Sequence, residues 1–318
     1  MNRFVKKEMR KFYHICMSGG NEPICRHEED YARLFNCIVL AASDTGSSIL
    51  ADVEMSTHVH LGVNTDCPHE MMSRAWLMYS RYFCSRYHRR GRLGEIAPFV
   101  LELQGLHHVI AAICYILRNP LHHGVSPTPF AYPFSSANTY FRKELGKIYS
   151  EELLSHKSHY RYLPKRSSYP SGYRMTKSGI YLREDVIEVS EVENFFATPR
   201  AFLFYMNRLS GEEWRAEQSK DSLDVPPVTI AEIEMGINLQ SLDRMLNNEN
   251  GRLNYRILTD LELCRIIDSH IADQYGKSSV YDLNTGELYD ACRHFTRTTH
   301  APIQQVERCI ALSYHKRK

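Results

Sequence analysis

The chain has 318 residues, 43% of them hydrophobic, and its 39 Lys and Arg against 37 Asp and Glu leave a formal net charge of +2. It is long enough for a sizeable core and two or three domains, and its near-neutral balance excludes a generally basic nucleic-acid binder, so any nucleic-acid footprint must be local. No window approaches 18 uninterrupted apolar residues and the N-terminal segment lacks the apolar run of a signal peptide, while nine Cys without C-x-x-C pairs point to reduced thiols; the expectation is a cytoplasmic protein without membrane spans.

The first predicted element is a short strand over Phe12-Tyr13-His14-Ile15-Cys16, ended by Gly19-Gly20. A helix over 28–42 follows, with Glu28, Glu29 and Asp30 in its first turn, where the helix dipole favours acids. A second strand, 48–55, alternates Ile49, Ala51, Val53 and Met55 with Leu50, Asp52 and Glu54. It leads through Ser56-Thr57 into a third strand, His58-Val59-His60-Leu61-Gly62-Val63, as a hairpin. Pro68 suits the first position of a second helix, with apolar stripe Met72, Trp76, Tyr79 and Phe83. A fourth strand spans 99–103, and a third helix runs from 106 to about 118, stopping before Pro120. The order β-α-β-β-α-β-α predicts an α+β fold with an antiparallel sheet of split β-α-β (ferredoxin/RRM-like) type and helices on both faces. The first two helices would share one face, and the third would cover the other.

On a strand, side chains two apart share a face, so His58 and His60 project together, roughly 7 Å apart along the chain. With 16 His in the chain, chance alone yields about one such pair, and two surface histidines on a half-exposed strand are the plain alternative. The third helix carries Leu106, Val109, Ile110, Ile113 and Leu117 on one stripe, and His108, Ala111, Ala112, Tyr115 and Asn119 on the other. Tyr115 and Asn119 are one turn apart, and the two alanines permit close approach to the sheet. Two imidazoles and an amide oxygen can hold a divalent cation with positions left open for a phosphate oxygen and water. Beside such a cation a phenol can attack phosphorus and retain it as a phosphotyrosine. A buried core tyrosine is the competing reading.

These segments resemble the REP-associated tyrosine transposases of the HUH single-tyrosine superfamily over roughly residues 13–140. The resemblance rests on Tyr13-His14-Ile15, Met55-Ser56-Thr57-His58-Val59-His60-Leu61, Tyr115-Ile116-Leu117-Arg118-Asn119-Pro120 and Pro133-Phe134-Ser135-Ser136. It implies Mg²⁺ or Mn²⁺ held by His58, His60 and Asn119, with Tyr115 as nucleophile. It also implies cleavage of single-stranded DNA beside a hairpin through a 5′-phosphotyrosine, by a transposase or a domesticated, nucleoid-associated relative. Thr57 stands where that family usually has Asn, and Glu95-Ile96-Ala97-Pro98 replaces its basic segment. A non-catalytic nucleic-acid-binding regulator of the same fold is the main alternative. A phosphoesterase using paired histidines as acid and base fits less well, since His107-His108 and His122-His123 lack suitable spacing.

Arg81, Arg86, Arg89, Arg90 and Arg92 lie among Tyr79, Tyr82, Phe83 and Tyr87, a mixture suited to phosphates and exposed bases, or else a solvated helix end over core aromatics. Residues 142–183 hold ten Lys and Arg, including Lys165 and Arg166, against three Glu. They read as an extended, DNA-contacting connector or a solvated linker. Three regions are expected: a catalytic domain over 1–141, a connector over 142–235, and a mainly helical C-terminal domain over 236–318. In the last, Thr259-x-x-Glu262 forms a capping box, Thr285-Gly286-Glu287 opens a second helix and Pro302 a third, through 312. Such helices suit a helix-turn-helix contacting duplex DNA or, equally, an oligomerisation module.

Overall fold

Four short strands pair into one antiparallel sheet of order β2-β3-β1-β4: β1 (Lys11–Ser18), β2 (Ser48–Glu54), β3 (His58–Thr65) and β4 (Phe99–Leu103). This is the split β-α-β arrangement expected, in an α+β molecule. The computed structural model describes residues 11–147, 151–165, 167, 170–207, 226, 228–235 and 258–316. Helices α1 (Glu28–Thr45) and α2 (Pro68–Tyr87) pack on each other and on β2 and β1, and α3 (Leu106–His122) packs across β2 and β3. Among the described residues no helix is long and apolar enough to cross a membrane.

The acids at the start of α1 do more than complement its dipole. The buried Asp30 carboxylate accepts the backbone N–H of Arg26 and His27 at 2.8 and 2.9 Å, and the hydroxyls of Tyr82 and Tyr87 at 3.0 and 2.6 Å. One side chain therefore closes the helix N-terminus and joins α1 to α2.

Two local features depart from the sequence pattern. In β2, Ile49 faces Val63 and Ala51 faces Gly62, so Leu50 is an extra residue in a bulge. Ile49 then shares the face of Val63 rather than that of Ala51 and Val53. Helix α3 does not end before Pro120: it continues to His122, with Asn119 and Pro120 buried. The proline lacks the N–H for one helical bond, but in the last turn its carbonyl accepts Val125 N and Ser126 N at 2.8 and 3.1 Å. Leu106, expected in the core, is 51% exposed, and Ile116 is buried against Gly62 instead.

The stretch read as an extended connector folds back onto the sheet. Asn36 bonds the backbone of Gly179 and Tyr181 at 2.7 and 3.1 Å, and Ile187 forms a parallel bridge to Ile49 at the sheet edge. Arg183 reaches two buried carboxylates of β2, Asp52 at 2.8 Å and Glu54 at 2.7 Å. Burial, then the charge of Asp52, pushes the Glu54 carboxyl well up, against the opposing pull of Arg183. Arg142 pairs with Glu184, Arg174 with Asp185 and Lys177 with Glu152. Short helices α4 (Arg183–Val186), α5 (Val189–Phe196) and α6 (Pro199–Asn207) follow, and a tight turn at Ala197, with φ of 60° and Thr198 N bonding Phe196 O at 2.7 Å, separates α5 from α6. Helix α7 spans Ile230–Glu234.

Residues 258–316 form α8 (Asp260–Tyr275), α9 (Thr285–Thr298), α10 (Ile303–Cys309) and α11 (Leu312–His315). The Thr259–Glu262 capping box starts α8, and a left-handed Ala311 divides the helix expected over 303–312. These helices dock on the β1–α1 loop. The fully buried Arg26 guanidinium meets Asp268 at 2.5 Å and donates to Cys309 O at 2.6 Å, and Ser56 bonds Asp260 at 2.8 Å. Burial disfavours ionised Asp260 and Asp268, but Arg308 and Arg26 outweigh it and hold both carboxyls below their ordinary value of 3.8. Groups depressed in this way stabilise the fold above that value, and the contribution is lost as pH falls through the folded-state pKa. Stability measured by urea unfolding should therefore decline below about pH 4. Asp268→Ala, which leaves a buried guanidinium unpaired, should cost about 3–5 kcal/mol at neutral pH.

Candidate active site on the histidine face

Register decides which side chains meet α3. His58 stands opposite Ser18, His60 opposite Cys16, and His14 opposite Gly62, so all three imidazoles share one face of β1 and β3. Gly62 continues that face, and a Cβ there would lie 3.3 Å from Ile116 of α3. The small Gly62, Ala111 and Ala112 allow the helix to sit low on the sheet. The face is not half-exposed as alternation alone suggested: His14, His58 and His60 are all buried, because α3 covers them.

Four residues singled out from the sequence meet here. His58 Nε2 lies 3.1 Å from Asn119 Oδ1, and the His58 and His60 ring centroids are 4.9 Å apart. Tyr115 presents its partly buried ring edge-on to His60 at 5.3 Å. Its hydroxyl donates to Glu234 Oε1 at 3.2 Å. The helix extension through Pro120 is what brings Asn119 inward; a frayed end would have left it in solvent.

Two neighbours orient the imidazoles. His14 Nε2 is 2.9 Å from His60 Nδ1, and Thr57 Oγ1 is 3.0 Å from His58 Nδ1. With the proton on His60 Nδ1, donated to His14, the His60 Nε2 lone pair faces inward, and that buried atom has no hydrogen-bond partner among the described residues. Burial lowers the His14 pKa to about 3. Burial and then the neighbouring His58, His14 and His123 push His60 well below its ordinary value. Burial thus favours the neutral form of His14 and His60, the protonation state a metal ligand needs.

The donor set fits a divalent cation on two grounds. The orphaned His60 Nε2 is one. The other is the pairing of His58 Nε2 with Asn119 Oδ1, a hydrogen bond whose proton a cation would replace, since neighbouring ligands of an octahedral ion with bonds near 2.1 Å lie about 3 Å apart. Among the described residues no three His, Cys, Asp or Glu side chains form a metal-holding cluster, so a third donor beside His58 and His60 would have to be of another kind, such as the Asn119 amide.

Of these residues His14 was legible only as part of a motif, and its role follows from strand pairing. Glu234, which also lies 3.3 Å from His122 Nε2, carried no sequence signal.

The arginines after α2 are not one surface. Arg89 is buried and bound to the buried Glu22 at 2.5 Å, which also accepts Tyr281 at 3.0 Å. Arg86 donates to Tyr82 and meets Glu29 at 3.4 Å. Arg92 donates to the carbonyls of Glu95 and Ile96. Arg81, Arg90 and Lys165 are exposed, and Arg166 lies outside the described residues.

Fold and site together define an α+β protein with a split β-α-β sheet whose buried histidine face is closed by a tyrosine- and asparagine-bearing helix. No family model and no curated protein matches the chain. Among solved structures it is similar to a REP-associated tyrosine transposase bound to a REP hairpin, at 16% identity and a TM-score of 0.34, covering 47% of this chain and 89% of that one.

The contrast among arginines is measurable by denaturant unfolding. Arg89→Ala, which strands a buried carboxylate, should destabilise by about 3–5 kcal/mol. Arg90→Ala should stay within about 0.5 kcal/mol of wild type.

Proposed function

We propose that the protein is a metal-dependent single-stranded DNA transesterase, a transposase or domesticated relative acting at hairpin-forming repeats. The observation that carries this reading is the convergence of Tyr115 and Asn119 from α3 on His58 and His60 from β3. The motif resemblance supplies the substrate class. A divalent cation, Mg²⁺ or Mn²⁺, held by His58, His60 and Asn119 would polarise the scissile phosphate and offset its developing charge. His14 and Thr57 fix the two rings from behind.

Tyr115 attacks phosphorus through its hydroxyl oxygen, and the departing DNA end leaves as a 3′-hydroxyl. The product is a 5′-phosphotyrosine that conserves the phosphodiester's energy for rejoining. The exposed Arg81 and Arg90 contact the DNA backbone, with Arg86, Arg92, Lys165 and Arg166 as further contacts. Residues 236–318 add a helix-turn-helix contact to duplex DNA or an oligomerisation surface.

Incubation with labelled single-stranded hairpin DNA and Mg²⁺ or Mn²⁺ should yield a denaturant-resistant protein–DNA adduct. Tyr115→Phe should bind the hairpin normally, lose about 1 kcal/mol of stability or less, and form no adduct. His58→Ala should bind the hairpin but cleave at least 100-fold more slowly. An adduct of unchanged yield in Tyr115→Phe would return the residue to the core.

A further inference from the structure

Glu234 is 119 residues beyond Tyr115 and belongs to none of the motifs above. Its placement is nonetheless specific. Thr229 and Glu232 form a capping box that starts α7, Val228 and Ile233 are buried, and His108 of α3 bonds the carbonyl of Pro226 at 2.8 Å. These contacts lay α7 along α3 and bring its last residue to the tyrosine. There one oxygen, Oε1, accepts the Tyr115 hydroxyl at 3.2 Å and lies 3.3 Å from His122 Nε2, two turns further along the same helix. The Glu234 side chain is 16% exposed, so it stays in reach of solvent while held against the phenol.

A phenol titrates near pH 10, so at neutral pH only about one in a thousand is ionised. A base already hydrogen-bonded to the attacking hydroxyl removes that restriction. We propose that Glu234 is the proton acceptor for Tyr115, with His122 as the positioning residue that holds its carboxylate; the proposal rests on the reading of Tyr115 as nucleophile. In cleavage the phenol oxygen forms the new P–O bond and its proton passes to Glu234. The bond from phosphorus to the 3′ oxygen breaks, and that oxygen takes a proton from water. In rejoining, the 3′-hydroxyl of the incoming strand attacks phosphorus and gives its proton to water. The tyrosyl P–O bond breaks, and Glu234 returns its proton to the departing phenolate. One carboxyl thus serves both directions.

The test compares the full chain with Glu234→Gln and Glu234→Ala, using single-stranded hairpin DNA with Mn²⁺ and following adduct formation under single-turnover conditions. Positioned general bases contribute about 10²–10⁴-fold, so Glu234→Gln should form adduct at least 100-fold more slowly, with hairpin affinity unchanged within about threefold. Added formate, a small carboxylate able to enter the vacated space, should restore Glu234→Ala at least tenfold, which a structural role would not allow. Glu234→Gln reacting as fast as wild type or faster would overturn the proposal and make the carboxylate a brake on the phenol. A slow Glu234→Ala that ignores formate would also overturn it. Neither outcome touches the nucleophile, because wild type still forms its adduct. A wild-type chain that forms no adduct at Tyr115 overturns the nucleophile reading and Glu234's role with it.

Discussion

Imidazole rings sealed between a sheet and a helix must be neutral and hydrogen-bonded, and that requirement organises the centre of this molecule. His14, His58 and His60 are each buried. An unmet polar group in such a place costs about 1–3 kcal/mol. His14 and His60 meet part of this demand by bonding each other, Thr57 holds one side of His58, and Asn119 the other. The helix must lie close enough to deliver Asn119, which is why Gly62, Ala111 and Ala112 occupy the contact. Among the described residues His60 Nε2, like His14 Nδ1 and the Asn119 amide nitrogen, is buried without a hydrogen-bond partner, and a cation would use the His60 lone pair.

A second set of buried charges ties the remainder of the chain to this core. Arg26 with Asp268, Arg89 with Glu22 and Arg308 with Asp260 each join a guanidinium to a carboxylate away from water. Arg183 does the same for two acids of β2. Buried pairs of this kind add less net stability than their contact distances suggest, but removing one partner is severe. They make the C-terminal helices and the folded-back connector positional parts of the structure, so the residues available to phosphates are fewer than the count of Lys and Arg implies.

Much of this was readable from residue order. Alternation located the two strands of the hairpin, the strands at 12–16 and 99–103 were placed as well, the latter to the residue, and proline and capping chemistry set the starts of α2 and α8. Period-two spacing put His58 and His60 on one face, and helical spacing put Tyr115 beside Asn119. What the pattern concealed was tertiary in origin. The bulge at Leu50 needs the partner strand to be seen, and α3 passes Pro120 because its last turn finds other partners. Alanines of positive φ at 197 and 311 break helices without the glycine that usually signals such a turn. Arg89 and Arg183 read as cations in a basic stretch because composition records charge and not the carboxylate opposite. Glu234 reaches Tyr115 only through the path of the whole chain.

The central claim is that the histidine face holds a divalent cation through ring nitrogens. Pulsed EPR of Mn²⁺ added to the wild-type protein measures this directly. Nitrogen couplings from directly bound imidazoles are predicted, weakened in His58→Ala and in His60→Ala. Bound Mn²⁺ without nitrogen couplings, or couplings unchanged in both variants, would contradict it.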